Sequence, residues 1–289
     1  MATPSIQWYP GHIAKAERAL QEQLKRVDVV LEVRDARIPL STLHPKLGKW
    51  LGSIKKVLVI NRVDMVPTEA RDEWIAWFKA NDQVAYYTDA NQGKGVGQIT
   101  RAAQAAGAAM NKRRVDRGMR PRPVRAVVVG FPNVGKSALI NRLLKKKVVE
   151  SARKAGVTRQ LRWVRISNEL ELLDAPGIIP AQLTDQDAAL KLAICDDIGQ
   201  AAYDTQRVAS AFIDLLKQLD TEQHTNYRVQ AVRSRYDLDP TDCTGETYIE
   251  TLGEQRYQGS KERAARTLLN EFRKGTLGQM VLEHPPTDD

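Results

Sequence analysis

The sequence predicts an α/β fold, a mostly parallel sheet flanked by helices, followed by a smaller all-α region. Three observations predict it. Short apolar runs at 27–33, 57–60, 84–88 and 124–129 alternate with helical patterns, as expected of strands covered on both faces by crossover helices. The run at 124–129 leads through a glycine-rich turn into a further helix. Beyond Pro180 the strand pattern stops and helical periodicity takes over.

The elements follow in order. Ala16, Leu20 and Leu24 form one stripe of an amphipathic helix over 13–25. After the strands at 27–33 and 57–60, a helix over 71–80 carries Trp74, Trp77 and Phe78. The strand at 84–88 ends in Thr88-Asp89-Ala90. Gly93-Lys94-Gly95-Val96-Gly97 lacks the spacing of a phosphate cradle and reads as a flexible turn before a helix over 98–112. Residues 112–125 hold Arg113, Arg114, Arg117, Arg120 and Arg122 with Pro121 and Pro123, and read as a basic connector. That connector is either a solvated linker or a strip that touches RNA phosphates. A helix over 138–144 comes next, then strands at 160–166 and 170–173 around a Ser167-Asn168 turn. Helices are expected over 185–201, 205–219 and 261–274, the second turning Val208, Phe212, Leu215, Leu216 and Leu219 inward. Residues 285–289 read as a frayed tail. Two domains result, 1–181 and 182–289.

A chain of 289 residues can bury a substantial core, and its net charge of +9 favours an acidic partner. Cys195 and Cys243 are far apart without metal-ligand spacing, so both are expected as free thiols in a reducing compartment. There is no apolar run long enough for a bilayer and no signal-type region near Met1. The expectation is a cytoplasmic monomer with no membrane contact.

The chemistry centres on Gly130-Phe131-Pro132-Asn133-Val134-Gly135-Lys136-Ser137, a phosphate-binding loop between strand and helix. Its glycines let the backbone curl so that successive N–H groups, through Val134, Gly135 and Ala138, face phosphate oxygens at the positive end of a helix. Lys136 supplies a point charge to the β- and γ-phosphates, and the Ser137 hydroxyl is a hard ligand for Mg²⁺. Asn61-Arg62-Val63-Asp64 ends a strand in the manner of a guanine-reading Asn-Lys-x-Asp motif, but it precedes the phosphate loop instead of following it. Asp64 is expected to accept from N1–H and the exocyclic amine of guanine, donors that adenine lacks there. Asn61 would contact the base edge and brace the phosphate loop. Arg62 stands where lysine is usual. Thr88-Asp89-Ala90 stands where a loop would offer a backbone N–H to guanine O6. Downstream, Thr158 is a candidate switch residue and Mg²⁺ ligand, Asp174 a Mg²⁺ ligand through water, and the Gly177 N–H a γ-phosphate donor. All the parts are present in a rotated order, so the sequence resembles a circularly permuted P-loop GTPase followed by an all-α C-terminal domain, binding GTP and GDP.

Together with Gln7-Trp8-Tyr9-Pro10-Gly11-His12-Ile13-Ala14-Lys15-Ala16 and Asp35-Ala36-Arg37-Ile38-Pro39, the phosphate loop looks like that of the ribosome biogenesis GTPase A (YlqF-type) family over nearly the whole chain. The resemblance implies a partner, the large (50S) ribosomal subunit and its rRNA, and a GTPase stimulated by that particle. It also implies a catalytic histidine at His12, with a helix-capping histidine as the alternative. In related GTPases an asparagine at the position of Asn133 helps hold K⁺; a neutral loop residue is the other reading. Ile178 stands where a water-orienting glutamine is common, so unassisted turnover is expected on the order of 10⁻⁴ to 10⁻² per second. Arg228, Arg233, Arg235, Arg256, Lys261, Arg263 and Arg266 are candidate RNA phosphate contacts. Action on tRNA or the small subunit, or a nucleotide-binding module that no longer hydrolyses, are the alternatives.

Overall fold

A computed structural model of the chain describes residues 10–144, 162–174, 185–199 and 202–286. The first stretch runs α1 (Pro10–Leu24), β1 (Val29–Asp35), α2 (Leu47–Leu51), β2 (Lys55–Asn61), α3 (Thr68–Ala80) and β3 (Ala85–Thr88). It continues through α4 (Val96–Asp116), β4 (Val124–Val129), α5 (Lys136–Leu143), β5 (Arg162–Arg165) and β6 (Leu170–Asp174). The strands form one sheet in the order β3-β2-β1-β4-β6-β5, parallel except for the edge strand β5. The strand carrying the phosphate loop, β4, therefore lies between β1 and β6 although it is fourth in sequence. The rotated motif order changes which ends are joined and leaves the strand neighbours unaffected.

Parallel pairing forces each connection to cross back over the sheet. As a result Asp35, Asn61, Thr88, Gly130 and Asp174 all collect at or just beyond the carboxyl ends of the strands, where open α/β sheets bind ligands.

Five helices follow: α6 (Gln186–Cys195), α7 (Thr205–Glu222), α8 (Tyr227–Tyr236), α9 (Gly245–Arg256) and α10 (Lys261–Arg273). Side-chain caps start four of them. Asp185, Asp204, Thr244 and Ser260 each accept from a backbone N–H in the first turn. Val208, Phe212, Leu252, Leu268 and Phe272 are buried together, with the two phenyl rings 4.8 Å apart. The same apolar cluster continues without a break to Ile99, Leu139 and Val128 on one face of the sheet. The opposite face is covered near β1 and β4 by Leu20, Leu24, Leu47 and Leu51, and near β2 by Trp74 and Phe78. Each such side chain contributes roughly 1.5–3 kcal/mol by burial. No helix among the described residues is long and apolar enough to cross a membrane.

After α10 the chain returns to the sheet. Met280 donates its N–H to Met65 O and Leu282 to Arg37 O, each at 3.0 Å. Val281 is buried against Leu58, Ile60 and Trp74. The Glu283 carboxylate accepts from the Leu40 N–H at 2.8 Å and from the Ser41 N–H and hydroxyl.

Several expectations need correction. The connector expected over 112–125 is helical to Asp116. The rest is pinned: Asn111 exchanges two hydrogen bonds with Arg122, which forks onto Asp28. The helix expected to reach residue 201 stops at Cys195, because Asp196 turns left-handed (φ 65°) and the Asp197 N–H closes back on Leu192 O. The short α2, and α8 and α9 within the helical region, carry weak stripes and were not resolved as separate elements in the sequence. Arg228 is no phosphate contact. It is fully buried, 3.0 Å from Asp220, and donates to Val281 O.

Candidate nucleotide site

The phosphate loop owes its shape to close approaches. Gly130 (φ 153°) lies so near β1 that a Cβ would sit 2.3 Å from Val33 O. Gly135 (φ 99°) would place one 2.1 Å from Asn61 Nδ2. A side chain fits at neither position. Asn133 takes a left-handed φ of 59°, which asparagine tolerates. Lys136 is buried and its ammonium donates to Phe131 O at 2.7 Å and Gly130 O at 3.2 Å, so its charge is held inside the loop.

Asn61 joins three segments that are far apart in sequence. Its amide donates to Val134 O at 2.9 Å, while Oδ1 accepts from the Thr88 hydroxyl at 3.1 Å and the Ala90 N–H at 3.0 Å. The phosphate loop, the strand end of β2 and the loop after β3 thus share one buried amide. Arg62 adds a second clamp. It donates to Asn133 O at 2.6 Å and lies 3.4 Å from the Asp35 carboxylate. Its left-handed backbone (φ 65°) costs about 1 kcal/mol, and these contacts hold it. Arg142 reaches Ala90 O and Asn91 O, fastening α5 to the same loop.

Asp64 is exposed in the turn after β2, its carboxyl raised above the usual range by burial and then by the charge of Asp89. Its backbone carbonyl accepts from the Gln279 amide at 3.0 Å. Asp89 Oδ1 accepts from the N–H groups of Asn91 and Gln92, whereas Oδ2 is buried without a partner. A ligand edge rich in N–H donors would suit the exposed Asp64 carboxylate. The backbone donors expected for O6 are engaged differently: the Asp89 N–H bonds Lys94 O and the Ala90 N–H bonds Asn61.

A charged knot beneath the site was missed in the sequence as chemistry, although Asp35-Ala36-Arg37 stood out as a motif. Asp35 and Arg37 are fully buried and paired at 2.7 Å. Burial pushes the Asp35 carboxyl up, but Arg37 and then Arg62 outweigh it and hold it low. Arg37 also donates to Cys195 O at 3.2 Å, and Asn133 donates to Asp196 O at 2.6 Å. Asp197 faces the same knot with both oxygens unpartnered, and burial with the charge of Asp35 pushes its carboxyl well up. The end of α6 is therefore in direct contact with the phosphate loop. Cys195 is buried and Cys243 half-buried, both as free thiols, and burial pushes the Cys195 thiol up.

Ser137 opens α5, half-buried, and the backbone of Asp174 pairs with Val128, two residues before Gly130. A serine hydroxyl is the kind of hard oxygen ligand that Mg²⁺ takes beside phosphates. Thr158, Gly177 and Ile178 lie outside the described residues. His12 lies in the first turn of α1, and of its side chain nothing is described.

Residues 125–257 match the family described as 50S ribosome-binding GTPase. The ribosome biogenesis GTPase A of Bacillus cereus is 35% identical, over 97% of this chain and 94% of its own. That of Priestia megaterium is 33% identical, over 97% of each chain. Among solved structures, GNP-bound YlqF from T. maritima matches with a TM-score of 0.64 at 22% identity, over 94% of this chain and 98% of that one. This likeness bears on the fold.

Proposed function

The chain belongs to the ribosome biogenesis GTPase A family and hydrolyses GTP, and on that premise we propose that it assists late assembly of the large ribosomal subunit. It binds the particle in the GTP state, in the cytoplasm, is stimulated by it, and leaves after hydrolysis. The observation that carries the switch reading is Asn61, which ties the guanine-side loops to the phosphate loop through Val134, Thr88 and Ala90. Base recognition and phosphate binding then act as one rigid unit.

In this reading Asp64 reads guanine, the loop amides of residues 133–138 cradle the phosphates, and Lys136 exchanges its carbonyl partners for phosphate oxygens. Ser137, Asp174 and Thr158 would hold Mg²⁺, which withdraws charge from the β- and γ-phosphates. The Gly177 N–H bonds the γ-phosphate. With isoleucine at 178, water orientation falls to His12, whose ordinary pKa near 6.5 suits a group that polarises water. Asn133 would help hold a K⁺ ion, which when bound would supply the kind of charge that an arginine finger gives elsewhere.

The experiment is GTP turnover by purified protein with and without large subunits, in KCl and in NaCl. Strong stimulation by large subunits alone, larger in KCl, is expected. Stimulation by tRNA or small subunits instead would reassign the partner, and retained binding without turnover under any condition would sink the catalytic reading. His12→Ala should abolish stimulated turnover and spare GTP affinity; lost affinity would make His12 structural.

A further inference from the structure

The positive charge of this protein is divided unevenly. Residues 1–181 hold 32 Lys and Arg against 16 Asp and Glu, whereas residues 182–289 hold 12 against 19. The helical region, where phosphate contacts were expected, is net acidic. Its cations are also largely engaged: Arg233 with Asp239, Arg235 with Glu271, Lys261 with Glu250 and Arg266 with Glu262.

A cluster of cations that meets no acid among the described residues lies at the end of α4. Gly107 of α4 packs on Val124, the first residue of β4, so closely that a Cβ would sit 2.4 Å from the valine. That contact marks the amino edge of the sheet. α4 then continues nine residues to Asp116, about 13 Å at 1.5 Å per residue. The projecting end and its cap expose Lys112, Arg113, Arg117 and Arg120, none of whose side chains meets an acid among the described residues. Arg113 and Arg117 are one helical turn apart on one face. Val115 and Met119 are exposed beside them, at 54% and 40%. The projection is rigid: Arg114 donates to Arg120 O, the Met119 N–H bonds Arg114 O, and Arg122 is forked onto Asp28.

We infer that this projecting end of α4 docks on the phosphate backbone of double-helical RNA, on the side of the protein away from the nucleotide. This rests on the ribosomal reading above. Duplex is favoured over single-stranded RNA because no aromatic residue lies between Ile99 and Val124, and single strands are bound by stacking bases on aromatic rings. A-form duplexes are recognised through phosphates and shape, which rigid, closely spaced cations can match. The nucleotide end stays free to meet whatever completes catalysis.

The test measures binding of an RNA hairpin with a 20-base-pair stem across a salt series, for the full chain and for R113Q/R117Q/R120Q. Affinity should fall on the order of 10²-fold at 0.1 M salt, with the slope of log affinity against log salt smaller by about 3. Fluorescent GTP binding should be unchanged, which shows that the variant is folded. R256Q/R263Q, in the acidic region, should leave the hairpin affinity within twofold. An unchanged salt slope in the triple variant overturns the inference. So does sedimentation in which the triple substitution abolishes a dimer of the wild-type chain while hairpin binding is kept, because the patch then docks on the acidic region of a second copy. Large-subunit stimulation of turnover is read separately. Stimulation with an unchanged slope sinks this inference alone, and a lowered slope without stimulation sinks the assembly reading alone.

Discussion

The sheet region and the helical region both bury charge, but they use it for different ends. At the carboxyl edge of the sheet, Asp35, Arg37 and Asn61 are buried and join loops from distant parts of the sequence, while Asp89 and Lys136 are buried within their own loops. In the helical region the buried charges are ties. Arg228 grips Asp220 and the returning C-terminal segment, Glu283 caps Leu40 and Ser41, and Asp197 lies against the Asp35–Arg37 pair. Polar burial concentrates where a ligand is held, and elsewhere it fixes one layer to another. On the surface, Arg233, Arg235, Lys261 and Arg266 of the helical region are paired with acids, whereas the cations at the end of α4 find none among the described residues.

The sharpest way to break this comparison is to cut a tie. Arg228→Ala leaves Asp220 buried without its cation and removes a donor to Val281 O. A loss of about 3–5 kcal/mol is expected by urea unfolding, since an uncompensated buried charge is more costly than an absent pair. A loss below about 1 kcal/mol would show that the tie is replaceable. Gln279→Ala is the milder companion, removing the donor to Asp64 O and lowering GTP affinity without a comparable loss of stability.

Asn61→Ala tests the other region. It strands the Thr88 hydroxyl and the Ala90 N–H, both buried, and frees Val134 O from the amide. With about 1–3 kcal/mol for each unsatisfied group, GTP affinity should fall at least 10²-fold. Titration with a fluorescent nucleotide measures it. A fall in melting temperature without a fall in affinity would make Asn61 a packing residue only.

How far the sequence disclosed these regions follows from what periodicity and motifs can encode. The strands were legible because parallel pairing demands continuous apolar runs, and the phosphate loop because its glycines meet fixed steric limits at Val33 and Asn61. The fold class and the rotated order followed from those. Arg62, which stands where lysine is usual, is a clamp on Asn133, visible only once β2 and the phosphate loop are side by side. Arg228 was misread because a surface arginine and a buried one look alike in sequence, and its partner lies eight residues away on another helix. The return of residues 277–284 over the guanine side carries no periodicity at all. The charge division between the regions was countable from the sequence, but its meaning depended on which cations find acids.

Asp64 offers a smaller effect that sharpens the contrast. Guanine donors need its carboxylate ionised, and burial together with Asp89 raises its pKa. GTP affinity should therefore be full above the raised pKa and fall as pH drops through it, by up to about tenfold per unit, starting at higher pH than an ordinary aspartate would give. Asp89→Asn keeps an Oδ1 acceptor for Asn91 and Gln92 and removes the charge, so the acid limb should move to lower pH. An unmoved limb would assign the titration to another group. In the same region, His44 is held to about 4 by burial and then by Lys46. Its folded value lies below the unfolded one near 6.5, so the unfolded chain takes up the proton first and stability should decline as pH falls from about 6.5 to 4. His44→Asn should flatten that decline in a melting series.

The smallest effect is the control for the whole comparison. Arg266 and Glu262 form an exposed pair one turn apart on α10, at 2.9 Å. Water screens both charges and the side chains lose freedom in pairing, so Arg266→Ala should change stability by no more than about 0.5 kcal/mol. It should also leave the hairpin affinity and its salt slope unaltered, because that arginine is engaged and stands in an acidic field. Arg117→Ala, with no acid to lose, should be as mild in unfolding yet lower the salt slope by about 1. Equal slopes for the two variants would mean that free and engaged cations serve RNA alike, and that pairing is no guide to which surface meets the partner.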